Sequence, residues 1–373
     1  MIHLMQPSLG ENEMKAISEV FADNWPGKGP RIEQFETEFS RYIGCDGSEM
    51  TGINCCTEGL FQVIEALNLT PRDEVILPTI SFIGTAHAVK HSRARIKLVD
   101  VDFRSLNPRP EDIKNAITPR TRAVLLLHYG GYPGWISEIE EITRGTSILL
   151  IEDAACSLGA SLNGISCGMF GDVGLWSFDS MKLLVTGDGG MVRIAKPELR
   201  ERFRLSISMG GSQRGFNEAS EKNKSWWKVD PFLAGRRAYM NDLNAAIGLV
   251  QLGRIVSFIN RRKEIAGMYN QGFEDIPNIL VPPRQNEKVD FFYWIQVPHK
   301  LRDKLAIFLL ENGVYTTFRY WPLHQTKLYA CSEKFPQADE ATKKTLHLPM
   351  HQNLSNTEVE YIIDKVKFYI VNH

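Results

Sequence analysis

The stretch "SFDSMKLLVTGDGG", from Ser177 to Gly190, holds one lysine, Lys182, between a small hydroxyl residue and a glycine-rich turn. Little other charge surrounds it, so burial should destabilise its ammonium form, lower its pKa and leave free amine able to attack an aldehyde. Asp153 closes the apolar run of "LLIEDAACSLGA", 182 − 153 = 29 residues upstream, with one more expected strand between the two. Both residues then fall on the carboxyl-end rim of one sheet. An amine and a carboxylate on one rim suit pyridoxal phosphate, which joins a lysine as a Schiff base and takes an aspartate to keep its ring nitrogen protonated. Taken singly, Lys182 reads first as a surface or ion-paired residue, and Asp153 as a strand-end carboxylate that caps the next helix.

A phosphate also needs a seat. "NCCTEGLFQVIEAL" opens with Asn54 and Thr57 and continues as an amphipathic helix, whose first N–H groups and dipole favour an anion. The Thr57 hydroxyl adds a donor and Ser177 offers another; alone, Asn54 or Thr57 reads first as a helix N-cap. The chain has neither G-x-G-x-x-G after a strand nor G-x-x-x-x-G-K-[ST], which weighs against dinucleotide and nucleoside-triphosphate sites.

The elements that must position these groups alternate. "EVILP", a helical run from Ile83 to Val89, "IKLVDVD", "PEDIKNAI", "RAVLLLH", "WISEIEEI" and "SILLIEDAA" read as a βαβαβαβ pattern. Nearly continuous apolar strands joined by crossover helices imply an α/β fold, a mainly parallel sheet sandwiched by helices, with ligands beyond the strands' carboxyl ends at Pro78, Asp100, His128 and Asp153. Strands are also expected at "VGLWSF" and "GMVRI". The polar, glycine-containing segment "SMGGSQRGFNEASEKNKSWWKVDPF" reads as a long loop whose Trp226 and Trp227 pack on a surface, either as a lid or as a subunit contact. A long helix from Asn241 to Met268 leads to a second α/β unit, with strands at "NILVPP", "FFYWIQVP" and "VYTTFRY" and helices near Asp303–Asn312 and Glu358–Tyr369. The division expected is a large domain over 1–254, with an N-terminal arm, and a small C-terminal α/β domain over 255–373.

Bulk properties bound the rest. At 373 residues and 43% hydrophobic, the chain has length for about two domains and a sizeable core. Lys and Arg number 43 against 44 Asp and Glu, so no uniform field recruits nucleic acid or an anionic membrane. The first residues lack a basic region followed by an apolar one, and no apolar run is expected to cross a bilayer. The cysteines at 45, 55, 56, 156, 167 and 331 show no C-x-x-C spacing, so a reducing cytoplasm and no structural zinc are expected.

"NCCTEGL", "LPTISFIGTAHAV", "TPRTRAVLLLHYGG", "IEDAACSLGA", "GDVGLWSFDSMKLLVTGDGGMV", "YMNDLNAAIGLVQL" and "RYWPLH" resemble, in order and approximate spacing, the DegT/StrS-type nucleotide-sugar aminotransferases. The likeness runs from "GPRIEQFETEFSRYIG" to the last helix. It implies a fold-type I pyridoxal phosphate enzyme, a homodimer with active sites at the subunit interface, that aminates a nucleotide-linked 4-keto or 3-keto sugar with an amino acid, usually glutamate, as donor. Carried over by position, Lys182 is the Schiff-base lysine, Asp153 the pyridinium partner and Phe82 the ring stacked on the cofactor, while Thr57 and Ser177 hold the phosphate. The resemblance puts Trp25 and Lys28 of "NWPGKGP" near the sugar nucleotide and "RYWPLH", with Tyr320 and His324, along the pocket wall. Tyr320 and Trp321 read equally as packing between domains, and His324 as a structural histidine.

This chain departs from the family pattern at several positions. Asp179 stands where histidine is frequent, and Cys156 where glutamine commonly contacts the cofactor's phenolic oxygen. Arg237 stands where many relatives place an asparagine that reaches the neighbouring subunit's phosphate, and Cys55 and Cys56 replace smaller residues of the phosphate turn. Some relatives carry histidine in place of the lysine and dehydrate the sugar instead; Lys182 argues against that. Two other readings stand beside the aminotransferase: a non-catalytic or regulatory member of the fold, and a pyridoxal lyase or desulfurase using Cys331 as a thiol.

Overall fold

The computed structural model describes residues 1–211 and 230–373; Trp226 and Trp227 lie outside them. Chain order gives helices α1 (Glu11–Ala22) and α2 (Pro30–Ile43), strand β1 (Met50–Ile53), α3 (Cys56–Ala66), β2 (Glu74–Pro78), α4 (Ile83–His91), β3 (Arg95–Val99), α5 (Pro110–Ala116), β4 (Thr121–Leu127), α6 (Ile136–Thr143) and β5 (Leu149–Asp153). A short hairpin, β6 (Ser161–Leu162) and β7 (Ile165–Ser166), precedes β8 (Val173–Ser177), β9 (Gly190–Ile194) and α7 (Pro197–Ile207). Then come α8 (Asp242–Phe273), β10 (Tyr293–Gln296), α9 (His299–Glu311), α10 (Pro336–Lys344), β11 (Thr345–Leu348) and α11 (Asn356–Val371).

Seven strands form one sheet in the order β1-β9-β8-β5-β4-β2-β3. From β3 to β8 every pairing is parallel; β9 runs antiparallel to both β8 and β1. The sheet is therefore mainly parallel, as the apolar runs imply, because helices cover both faces and alternation has no solvent side to report. Residues 123–127 of β4 are all buried. Local signals set the helix ends: Pro30 starts α2 and Gly44, at φ 91°, stops it, while Ser355 and Glu358 form a capping box on α11.

Two cores share α8. Ala245, Leu252, Ile255 and Phe258 pack into the core of the large sheet, and Ile265, Ala266, Tyr269 and Phe273 into a second core with α9, α11 and the β10–β11 pair. The handover falls between Phe258 and Ile265, while Val289, Phe291, Phe292 and Trp294, and further on Leu323, Tyr329, Phe335, Ala338 and Ala341, return to the first core. Contrary to the expectation that no apolar run could cross a bilayer, α8 is long and apolar enough by composition to do so. Its two buried stretches in separate cores account for that apolarity.

The second unit also differs from the periodic reading. "NILVPP" and "VYTTFRY" supply isolated bridges, Leu280 to Gln296, Val314 to Ile2 and Thr317 to His347, and no strand. The second strand is instead β11, within "TLHLP", a run too short to stand out by periodicity. Asp100 serves structure: its carboxylate accepts the N–H groups of Gln337 and Ala338 at 3.0 and 2.9 Å, at the start of α10.

Candidate active site

Residues just past the carboxyl ends of five strands meet in one cavity of about 300 Å³. Thr57 follows β1, Phe82 follows β2, Leu127 ends β4, Asp153 ends β5 and Ser177 ends β8; Lys182 joins them from the turn between β8 and β9. A mainly parallel sheet gathers the ends of all these strands on one edge, so residues distant in sequence become neighbours.

Lys182 is held by a tied turn. Its N–H donates to the Asp179 carbonyl at 2.8 Å, Met181 N–H donates to Asp179 Oδ1 at 3.0 Å, and Asn244 of α8 reaches the carbonyls of Thr186 and Asp188 at 2.6 and 2.9 Å. The Lys182 ammonium lies 5.3 Å from the centre of the Phe291 ring. Burial pushes this ammonium's pKa down, but Tyr320, Cys156, Asp153 and Cys56 outweigh it and leave the pKa raised. The expected lowering is thus corrected: it counted the water lost and missed the acidic groups that folding brings up.

Asp153 is buried, and its Oδ1 accepts the Ala155 N–H at 3.1 Å. Burial raises its pKa, against the pull of Lys182, the Ala155 N–H and His128. The neighbouring Glu152 serves structure: its carboxylate accepts from His128 Nε2 at 2.8 Å and from the N–H groups of Gly168 and Gly171 at 2.7 and 2.6 Å.

At the other end of the cavity α3 begins. Cys55 is its N-cap, with Sγ accepting the Glu58 N–H at 3.3 Å, and Cys56 and Thr57 occupy its first turn beside Ser177. The Phe82 ring forms one wall, 5.8 Å from the Tyr320 ring. A Cβ at Gly84 would lie 2.5 Å from Phe82 Cε1, so the glycine leaves that ring its place. Buried acid, lysine, flat aromatic wall and helix N-terminus match the ring nitrogen, aldehyde, ring face and phosphate of pyridoxal phosphate, and so fit that cofactor.

Cys56, Thr57, Phe82, Asp153, Ser177, Lys182 and Tyr320 therefore line one cavity. Cys156 sits behind the wall, its buried thiol hydrogen-bonded to Tyr320 and raised in pKa by burial. Trp25, Lys28 and Arg237 lie outside this cavity: Lys28 and Arg237 flank the Tyr239 ring at 5.4 and 5.5 Å, and Trp25 Nε1 donates to the Lys28 carbonyl at 2.8 Å. Buried Asp242 anchors the segment that carries Trp25 and Lys28 by accepting the N–H groups of Gly29 and Ile32 at 3.1 and 3.2 Å. His324, expected along the pocket wall, has both ring nitrogens engaged, with Thr79 Oγ1 at 2.6 Å and Asp339 Oδ1 at 2.9 Å, and does not line the cavity. Cys331 is an exposed thiol away from the cavity, its pKa raised by burial and by Glu333.

Phe291 and Phe292 also line the cavity, although "FFYWIQVP" reads as one strand. β10 starts only at Tyr293, which frees the two preceding rings for the site. Behind Tyr320 lies His347, with Nε2 2.9 Å from the Tyr129 hydroxyl and Nδ1 accepting the Arg319 N–H at 3.3 Å. Burial pushes its pKa down to about 3, so the folded protein holds it neutral while the unfolded chain takes up a proton below the ordinary value of 6.5. This contribution to stability is complete above that ordinary value and disappears as pH falls toward the folded one. His347 should cost about 1.4 kcal/mol per pH unit below roughly pH 6. Urea midpoints at several pH values should therefore fall less steeply with acid in His347→Phe than in the wild type; parallel slopes would exclude the effect.

A family model described as the DegT/DnrJ/EryC1/StrS aminotransferase family matches residues 7–367. A dTDP-4-dehydro-2,3,6-trideoxy-D-glucose 4-aminotransferase of Saccharopolyspora spinosa is 45% identical, the match covering 100% of this chain and 98% of that protein. The spore coat polysaccharide biosynthesis protein SpsC of Bacillus subtilis is 31% identical over 97% of this chain and 95% of its own. Among solved structures, the aminotransferase TlmJ from Streptoalloteichus hindustanus superposes with a TM-score of 0.95 at 43% identity, covering 100% of this chain and 99% of that one.

Proposed function

This chain belongs to the DegT/DnrJ/EryC1/StrS aminotransferase family, and from that premise we propose that it moves an amino group from an amino acid, glutamate in the first instance, to C4 of a thymidine-diphosphate-linked 4-keto deoxysugar. It is a pyridoxal-phosphate-dependent transaminase acting on nucleotide sugars. The choice of nucleotide and ring carbon is supported by the named activity of the 45% identical relative. The observation that carries the reading is the meeting of Lys182, Asp153 and the start of α3 in one cavity.

The cofactor, when bound, supplies an electron sink for the carbon that carries the amine. Asp153 holds a proton at the ring nitrogen, and the buried surroundings strengthen that interaction. Lys182 would tether the aldehyde, and its amine, when free, would take and return the proton at the reacting carbon. Phe82 orients the ring. The first N–H groups of α3, with Thr57 and Ser177, would hold the phosphate, and Tyr320, packed edge to face on Tyr129 and Phe292, would help to keep water from the lysine's side.

The cavity of one chain leaves Trp25, Lys28 and Arg237 unused, which supports a homodimer in which each copy offers them to its neighbour's site. The free cysteines suit the reducing cytoplasm.

The activity is tested by incubating the protein with L-glutamate and thymidine-, uridine- or guanosine-diphosphate-linked 4-keto-6-deoxyhexose and weighing the products. The expected result is the amino sugar, formed from the thymidine substrate with kcat/KM about tenfold or more above the others. No nitrogen in any nucleotide sugar, 3-keto substrates included, would refute it.

A further inference from the structure

Phe291 and Phe292 line the cavity without belonging to a strand, since β10 begins at Tyr293. Buried backbone outside a sheet must find its hydrogen bonds elsewhere. On the N–H side, Phe291 donates to the carbonyls of Gly130 and Val289 at 3.2 and 2.8 Å, and Phe292 to that of Gly130 at 3.3 Å. On the carbonyl side one residue serves. Arg262 Nη1 donates to the Phe291 carbonyl at 3.0 Å and to the Asp290 carbonyl at 3.4 Å, while its Nε donates to Gln352 Oε1 at 3.2 Å.

Arg262 lies in α8 between Phe258 of the first core and Ile265 of the second, 1% exposed and outside the cavity. Among the described residues no carboxylate is in ion-pairing distance of it; Asp290, the acid that acts on it, is paired with Lys288. Burial pushes its pKa down to about 10, so it stays charged near neutrality. Burying a charge without an ion pair is costly, and a neutral amide could donate to the same carbonyls. The charge answers to a ring. The Arg262 guanidinium carbon lies 5.6 Å from the centre of the Phe291 ring, and Lys182 Nζ lies 5.3 Å from the same centre. One ring thus meets a cation from α8, behind the wall, and a second cation within the cavity, and its electron-rich face favours the charged form of each.

Resting on Lys182 as the residue that carries the cofactor, we infer that Arg262 is a positioning residue for it: by binding the carbonyls of Asp290 and Phe291 and the Phe291 ring, Arg262 sets that ring against the Lys182 nitrogen. Arg262 does not reach the cavity, so it acts through Phe291. The place of the ring then helps to decide how readily the lysine nitrogen gives up a proton. Tyr320, Cys156, Asp153 and Cys56 also act on that nitrogen, and Asp290, Cys156 and buried His351 act on Arg262 or feel it. A lysine at position 262 keeps the charge that these groups feel and removes the fork that holds the segment.

Arg262→Lys, Phe291→Leu and their double variant test the link in the cofactor-loaded enzyme. Absorbance followed against pH should show the Lys182 nitrogen's midpoint in Arg262→Lys displaced to lower pH by about half a unit, since a ring out of place no longer favours the cation. The kcat should fall about tenfold, with KM for the amino donor within about threefold of the wild type. Phe291→Leu should give a displacement at least as large, and the double variant no more than Phe291→Leu alone, because Arg262 then has no ring to hold. An unmoved midpoint in Arg262→Lys, even with a lower urea midpoint, marks a merely structural arginine and overturns the inference, as do displacements that add in the double variant. Should Arg262→Lys fail to fold, Gln352→Leu removes the Nε acceptor and leaves the guanidinium: a smaller displacement in the same direction, absent when Phe291→Leu is added, supports the link, and no displacement refutes it. A wild type with no borohydride-fixable cofactor at Lys182 sinks the reading of the site itself, whereas a loaded, active wild type whose Arg262→Lys variant titrates identically sinks only this inference.

Discussion

Lys182→Ala should abolish the cofactor's covalent attachment and lower kcat by at least about 10⁴-fold, since one side chain supplies both tether and proton carrier and no neighbour can replace it. Cys56, Cys156, Asp153 and Tyr320 are the groups that act on the lysine, and none of them is an amine that could form the covalent link. The purified wild type should absorb in the near-visible, and borohydride should fix the cofactor to the peptide that contains Lys182. The variant should show no such fixation. Recovery of the cofactor on another lysine, or turnover within tenfold of the wild type, would refute the assignment.

Asp153→Asn should lower kcat about 10²- to 10³-fold. A neutral amide cannot hold the ring nitrogen's proton with the strength of a buried carboxylate, and the electron sink weakens in proportion. The substitution should leave the fold intact, because the shape is kept and a carboxyl group already raised in pKa by burial is replaced by a neutral one. A second readout separates the electrostatic role from a structural one. Asp153 helps to raise the Lys182 pKa, so its removal should shift the lysine nitrogen's titration to lower pH. Absorbance followed against pH would show this as an acid-ward displacement of the midpoint; an unmoved midpoint with intact kcat would exclude the carboxylate from the site.

Much of this arrangement is legible along the chain because its signals are local. Apolar runs of strand length, spaced by amphipathic segments, specify β2 to β5 and their crossovers, and Lys182 and Asp153 stand out because each ends a strand or turn in an apolar setting. The second unit is less legible. "NILVPP" and "VYTTFRY" have strand composition but form only bridges, and β11 hides within a short run after α10. Short strands take their identity from a partner, and the partner is remote in sequence.

The chemical type of the site, an amine and a carboxylate at the carboxyl ends of parallel strands with an anion-binding helix start beside them, follows from residue order and periodicity alone. What surrounds that pair is decided by tertiary structure: Phe291 and Phe292 arrive from the second unit, His324 is consumed by Thr79 and Asp339, and Lys28 and Arg237 end on the outer face around Tyr239. The Lys182 pKa marks the divide. Periodicity reports whether a residue loses water, but the charges that then act on it come from residues 56, 153, 156 and 320, and Coulomb's law depends on distance in space, which the folded chain alone determines.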